Sequence, residues 1–580
     1  VIIDRFVSDA ARPGRDLAWL LGVALLVIGA GIGLRDPWPT DEPRFALLSK
    51  YILDSGEWLF LRRGEELYSD KPPVFMWLQA TAIALAGSVR AGFLLPSLLA
   101  SLGTLALVYD LGRRLWTHRV GLVAAWLLLF ALQFTFQAKR AQIDPTLLFL
   151  MTLANYGLLR HLLRGPDWRM WCLGWFAAGL GTVTKGAGML SLLLLLPAAF
   201  ALAKGWRGIG LGPWRWLWLG PAAFLLATLV WLGPLLWAVA THDDPALRDY
   251  LHTVLYHQTV NRYTSSWDHH EPFWYQFGVV ATLWLPASLA LPWAIPAWWR
   301  RIRRGDPRYL LVLGWVAMVV LFFSVPAGKR DVYIMPALPM FCLALAPLVP
   351  GLARRAGPQR LVTAFVLALG TSLLLAGLMV LLGDTGFERR LLAERGTGAG
   401  DIALLAWLVL AMGGWSLACA AWHRGRRSLL AAAFALGGVW LMYSLAVYPI
   451  LDRHSSSRTM MSIVTRTIGP DAELAAVAWR EQQLLLADRP VRTFGFGPQA
   501  RGGAPWPAQW AAAADWLARG AGERWVISRD DALPDCVDRS RVVDLGVSNR
   551  RDWSLVPAGA LPAGCPEGGV GRHAAPAPSR

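Results

Sequence analysis

Apolar blocks mostly about 20 residues long recur along the chain as far as position 449, and that length is enough to cross a hydrocarbon layer as a helix. Within lipid the backbone must satisfy its own hydrogen bonds, so blocks of this length restrict the chain to a bundle of membrane helices. They lie at 17–34, 74–87, 91–115, 119–138, 144–164, 170–184, 187–204, 216–240, 273–299, 308–325, 331–349, 360–382, 401–421 and 428–449. No cleavable signal pattern opens the sequence, so the first block is expected to serve as the targeting signal. A net charge of +17 would suggest nucleic acid in a soluble protein, but here the arginines stand between apolar blocks. Attraction to anionic membrane lipids accounts for them, and no nucleic-acid partner is expected. Tryptophans gather near block ends, as at Trp168, Trp171 and Trp175 and at Trp214, Trp216 and Trp218, which predicts anchors at headgroup level.

The block at 74–87 decides the topology. It offers only some 14 residues, the length of an interfacial or re-entrant segment, and counting it as a span reverses the side of every later loop. One alternating set of loops carries Arg113, Arg114 and Arg119, then Arg160, Arg164 and Arg169, then Lys204, Arg207 and Arg215, and a further run from Arg300 to Arg308. The other set is poorer in basic residues and diluted by acids. If 74–87 lies along the interface, the basic set falls on the cytoplasmic side together with Arg5, Arg12 and Arg15, as the positive-inside rule requires. Thirteen spans are therefore expected, within a transmembrane domain over 1–451 whose outer loops are 35–90 and 241–272.

From 452 the sequence turns polar and alternates short patterns: a helical stretch near 456–468, an apolar run at 473–479, a helical QQLLLA, VRTFGF at 491–496, an Ala-rich helix near 508–519 and ERWVISR at 523–529. This order predicts a small α/β domain over 452–560 outside the membrane, followed by a disordered tail at 561–580. Cys536 and Cys565 lie in this part, and an oxidising compartment would permit a disulfide between them. Cys172, Cys342 and Cys419 fall in apolar runs, and no cysteine spacing suits a metal.

With that topology the unusual polar residues share the outer face: Asp41 and Glu42, Asp70 and Lys71, Arg140 to Asp144, the histidine-bearing 241–272 loop, and Lys329 to Tyr333. Ionisable groups beside hydrocarbon are expensive, which makes this face the candidate site. Plain alternatives exist for each: a polar loop for Asp41 and Glu42, and a helix start for Asp144, which precedes Pro145. Basic residues on the less positive side suit an anionic ligand. No Gly-rich phosphate loop, HExxH or GxSxG motif occurs. A transporter is the rival class, but the charges lie at one face rather than at mid-span and the halves show no repeat.

Asp41-Glu42 after the first span, YSDKPPVFMWL, AQIDPTLLFLMTLANYGLL and GKRDVYIMPALP together resemble the polyprenyl-phosphate-sugar-dependent C-type glycosyltransferases, and among them the bacterial lipid A aminoarabinose transferases, relatives of the protein O-mannosyltransferases. The likeness covers about the first 450 residues. It implies an α-helical polytopic C-type glycosyltransferase fold in the bacterial inner membrane. The resemblance also implies that at the periplasmic face a sugar leaves an undecaprenyl or other polyprenyl phosphate for lipid A or another acceptor (protein, glycan or lipid). It further implies that Asp41 is catalytic, with Asp144 and the neighbouring Glu42 assisting. Lys71, Arg262, Tyr333, Tyr68 and Lys329 are expected around the carrier phosphate. Asp70 and His257 match a pair able to share a divalent metal such as zinc, although this chain has Asp where a Glu is often found, and no cofactor is required by the sequence.

Overall fold

The computed structural model describes residues 12–255, 270–383, 386, 397–422, 427–496, 504–519, 523–562 and 564–565. Among them nine helices are long and apolar enough to cross a membrane, or eleven if each of two bent pairs makes one span. This is fewer than the thirteen expected. Two of the expected spans are short: Pro13–Gly29 has 17 residues and Trp168–Thr182 has 15, and charged Arg15, Asp16 and Arg169 occupy their first turns.

The segment that decided the topology forms the helix Val74–Ala86, only 13 residues long. Arg90, just beyond it, donates to the carbonyls of Gly33 and Leu34 at 3.0 and 2.7 Å and to Asp452 at 3.1 Å, all at the end of the bundle that also carries Asp41. Its start is at that end too, because Ser49 of the Asp41-bearing helix Glu42–Ser55 bonds the Met76 carbonyl at 3.2 Å. The helix therefore begins and ends at one end of the bundle, as an interfacial segment must.

The two alternating loop sets separate accordingly. At the end opposite Asp41, His118 meets Asp16 at 2.8 Å, Arg308 donates to the Leu115 carbonyl at 3.1 Å, and the Gly210 N–H donates to the Leu162 carbonyl at 2.9 Å. The bent pairs are His118–Leu129 with Leu132–Ala138, at 68°, and Tyr275–Leu283 with Ala287–Arg303, at 100°. Their breaks meet: the Leu132 N–H donates to the Leu285 carbonyl at 2.9 Å and the Trp284 indole to Gln133 Oε1 at 2.8 Å. Each break thus supplies partners for backbone groups that the other frees, which is what a broken helix needs in hydrocarbon. Trp214 and Trp218 are 84% and 60% exposed, as anchors should be. Trp171 is not an anchor; it is buried against His161, with centroids 4.9 Å apart, and donates to the Leu217 carbonyl at 3.1 Å.

The polar part forms a five-stranded mixed sheet. A two-strand hairpin in the first outer loop supplies β1 (Arg62–Arg63) and β2 (Glu66–Leu67). The sheet itself comprises β3 (Glu473–Val477), β4 (Val491–Thr493), β5 (Arg524–Arg529), β6 (Val543–Ser548) and β7 (Arg551–Pro557), in the order β4-β3-β5-β7-β6. β3, β4 and β5 run parallel, and β7 is antiparallel to both β5 and β6. The helices Arg458–Ile468 and Trp506–Ala518 cover its two faces. Cys536 and Cys565 form a disulfide, with Cα atoms 5.9 Å apart.

Candidate active site

The sequence Asp-Glu-Pro starts the helix Glu42–Ser55, with proline in its first turn where no donor is lost. Its two acids go opposite ways. Glu42 is 3% exposed: Arg35 grips it at 2.5 and 2.8 Å, and it accepts the N–H groups of Trp38 and Ala141, each at 2.9 Å. Burial alone would raise its carboxyl, but the charge and hydrogen bonds of Arg35, then the two N–H groups, outweigh burial and hold it below the usual carboxylate range. Asp41 stays at the surface of the site, accepting from Gln142 Nε2 at 3.2 Å with Arg44 at 3.7 Å.

Gln142 is the N-cap of the helix Ile143–Arg164, so the turn that holds Asp41 and Glu42 also aims Asp144. Asp144 makes no cap; it accepts from Lys185 Nζ at 2.5 Å. Lys185 sits on a tight turn between Trp168–Thr182 and the 3₁₀ helix Gly186–Leu194. A Cβ on Gly188 would lie 2.1 Å from the Gly181 carbonyl carbon, so only glycine allows this approach. The ring of Tyr333 lies 5.5 Å from Lys185 Nζ. Gln133 fixes the segment bearing Tyr333, because its Nε2 donates to the Asp331 carbonyl at 2.7 Å while its Oε1 holds Trp284.

Val74, which follows the Asp70 to Pro73 stretch, shares a hydrophobic cluster with Val183, Trp231 and Leu235, and Lys71 Nζ donates to the Asp70 carbonyl at 3.0 Å. Tyr68 is buried next to Arg44 and Arg63; burial and then the Asp70 charge push its phenol up, the two arginines opposing. Lys329 is buried and donates to the Glu271 carbonyl at 2.7 Å, where Glu271 N–H also bonds the Ala327 carbonyl at 3.1 Å. Arg262 and His257 lie outside the described residues. Among the described residues no three His, Cys, Asp or Glu converge on a metal position; His257, the expected partner of Asp70, lies outside them.

A family model described as dolichyl-phosphate-mannose-protein mannosyltransferase matches residues 70–232. An undecaprenyl phosphate-alpha-4-amino-4-deoxy-L-arabinose arabinosyl transferase of Pectobacterium carotovorum is 30% identical over 54% of this chain and 56% of its own length, so the match spans little more than half of that relative. One from Pseudomonas savastanoi is 29% identical over 80% of this chain and 82% of its own length. The solved structure of ArnT from Cupriavidus metallidurans bound to undecaprenyl phosphate superposes with a TM-score of 0.75 at 19% identity, covering 95% of this chain and 100% of that one. The chain has the C-type glycosyltransferase fold. The residues missed from sequence are the supports Arg35, Gln133 and Gln142 and the cation Lys185. Lys185 alone left a signal, a lysine in the apolar stretch TVTKGAGML on the side poorer in basic residues.

The C-type bundle and the small domain join at a polar seam. Asp36 accepts from Arg458 at 2.8 and 2.5 Å and from Ser456 at 2.7 Å, while Asp452 accepts from the Asp36 N–H and the Trp38 indole, both at 2.8 Å. Burial would raise the Asp36 carboxyl, but the hydrogen bonds of Arg458 and Ser456 and the charges of Arg458 and Arg90 outweigh it and leave it lowered.

Proposed function

We propose that the chain is a membrane glycosyltransferase that moves a sugar, 4-amino-4-deoxy-L-arabinose in the reading best supported, from undecaprenyl phosphate to lipid A at the periplasmic face of the bacterial inner membrane. The observation that carries this reading is the convergence of Asp41, Asp144, Lys185 and Tyr333 from four distant segments at one end of the bundle. The similarity to undecaprenyl phosphate-aminoarabinose transferases supports the donor, and the Cys536–Cys565 disulfide supports an oxidising compartment for the small domain.

The chemistry follows from charge. In the donor the carrier phosphate is a diester with about one negative charge, and it departs as a monoester tending towards two. Cations that meet this extra charge stabilise the transition state more than the ground state. Lys71 and Lys185 suit that role, and the family likeness supports the same role for Arg262. An acceptor oxygen bonds to the sugar carbon as the bond from that carbon to the carrier oxygen breaks, and attack from the opposite face inverts the centre. Asp41 stands ready to orient the acceptor or take its proton. A phosphate acceptor needs little base, so positioning is then its main task. Glu42 acts through Arg35 and the turn at Ala141, holding Asp41 and Gln142 in place.

The test is reconstitution of the purified protein with undecaprenyl phosphate-linked aminoarabinose and lipid A. Mass spectrometry should show lipid A gaining one aminopentose with release of undecaprenyl phosphate. No transfer to lipid A from any undecaprenyl phosphate-linked sugar would reject the reading.

A further inference from the structure

The small domain turns the carboxyl ends of its three parallel strands towards the first outer loop. Beyond these ends Trp479 and Thr493 close on Gly64, and the Phe496 N–H donates to Glu66 at 3.1 Å. In α/β sheets this edge is the usual place for a ligand, since the connections leave a crevice there. Five arginines gather at it: Arg44 and Arg63 from the loop, Arg480 after β3, Arg529 ending β5 and Arg551 opening β7.

Two acids bridge four of them, and Arg44 also faces Asp41 at 3.7 Å. Arg44 and Arg63 share Glu481, at 3.0 and 3.7 Å; Arg529 and Arg551 share Asp531, with Arg551 at 3.7 Å. Arg480, next to Glu481 in the chain, has no side-chain hydrogen bond or ion pair among the described residues. Its burial, opposed by Glu481 and reinforced by the charges of Arg529, Arg551 and Arg44, lowers its affinity for the proton. Arg529 is 5% exposed, and its Nε and that of Arg63 are buried without a partner among the described residues. An interdomain clamp would pair its charges and satisfy its donors. Spare guanidinium donors around one crevice are instead what an anion with several oxygens completes. The crevice also reaches the reacting end, because Arg44 stands 3.7 Å from Asp41.

We propose that this crevice binds a phosphate group of the acceptor headgroup, so that the small domain selects the acceptor while the bundle holds the carrier. The assignment rests on the reading of the acceptor as a phosphorylated glycolipid. It is tested on the full chain in lipid nanodiscs by measuring lipid A and undecaprenyl phosphate affinities for the wild type, Arg480→Gln and the more exposed Arg551→Gln. Each substitution should weaken lipid A binding roughly tenfold, the loss of one charge-assisted contact, and leave undecaprenyl phosphate binding within about twofold. Inorganic pyrophosphate separates the sources: competition with lipid A in the wild type but not in Arg480→Gln shows that phosphate alone suffices, and loss of lipid A binding without such competition shows a site read only from the membrane. Both support the crevice. Unchanged lipid A affinity in both variants overturns it, as does an equal loss of both ligands or a wild type that does not bind lipid A. A wild type that binds lipid A and transfers nothing counts against the proposed function and leaves this assignment standing.

Discussion

Glu42→Ala separates structure from chemistry at the pair of acids that opens the site. The substitution leaves Arg35, 2% exposed, without its carboxylate, and takes the acceptor from the N–H groups of Trp38 and Ala141. Breaking a buried pair from one side costs about 3–5 kcal/mol, and each orphaned N–H adds about 1–3 kcal/mol where it cannot reach water. A fall in the melting transition followed by tryptophan fluorescence in detergent is therefore expected, with turnover lost alongside it. Replacing both members, Arg35→Met with Glu42→Leu, should recover part of the loss, since apolar groups remove the uncompensated charge but not the orphaned N–H groups. The pH dependence has a defined sign. The Glu42 carboxyl is lowered in the folded protein, so its stabilisation is present above the ordinary value of about 4.3 and is lost as the pH falls through the folded value. Glu42→Gln should flatten that acid limb. A Glu42→Ala protein that melts like the wild type yet has no turnover would refute the structural role.

Lys185→Met should reduce turnover and destabilise the protein by about 1–3 kcal/mol, because Asp144 loses its charged donor. Combined with Asp144→Asn it should cost clearly less than the sum of the two, which a double-mutant cycle measures. Asp36→Asn should loosen the seam, read as faster limited proteolysis between the bundle and the small domain. The wild type should show the same loosening as the pH falls below about 4, since the lowered Asp36 carboxyl stabilises the seam only while ionised. For topology, a cysteine at Arg119 should be protected from an impermeant thiol reagent in intact cells and one at Asp243 should react; the reverse would place the Asp41 end in the cytoplasm.

Much of the fold was legible because its cause is local. Apolar length gave the bundle, and the block of some 14 residues at 74–87 looked too short to cross, in keeping with the 13-residue helix Val74–Ala86. The strand and helix order of the small domain followed from residue patterns up to Arg529. The β6–β7 hairpin did not, because its two-residue turn is Asn549-Arg550, both at positive φ of 52 and 63°, and an arginine there gives none of the signal that a glycine would. Two of the expected spans, Pro13–Gly29 and Trp168–Thr182, are short because charged residues occupy their first turns. At the site, acids beside membrane segments were visible, but their division of labour was not: Glu42 became a buried support only when Arg35 and the Ala141 turn met it. Asp144 looked equally like a cap until Lys185, distant in sequence, reached it. Lys329 is a cation on the expected face that gives one of its three donors to a backbone carbonyl, a contact no sequence pattern announces.

The most direct test of the account is turnover and carrier binding measured together in Asp41→Asn. The substitution keeps size and hydrogen-bonding shape but removes the charge beside Gln142 and Arg44. The account predicts wild-type melting, undecaprenyl phosphate affinity within about twofold, and a fall in sugar transfer of about 10²-fold or more, the lower range for removing a group that acts on the acceptor in the transition state. Near-normal transfer by a well-folded Asp41→Asn protein would contradict it.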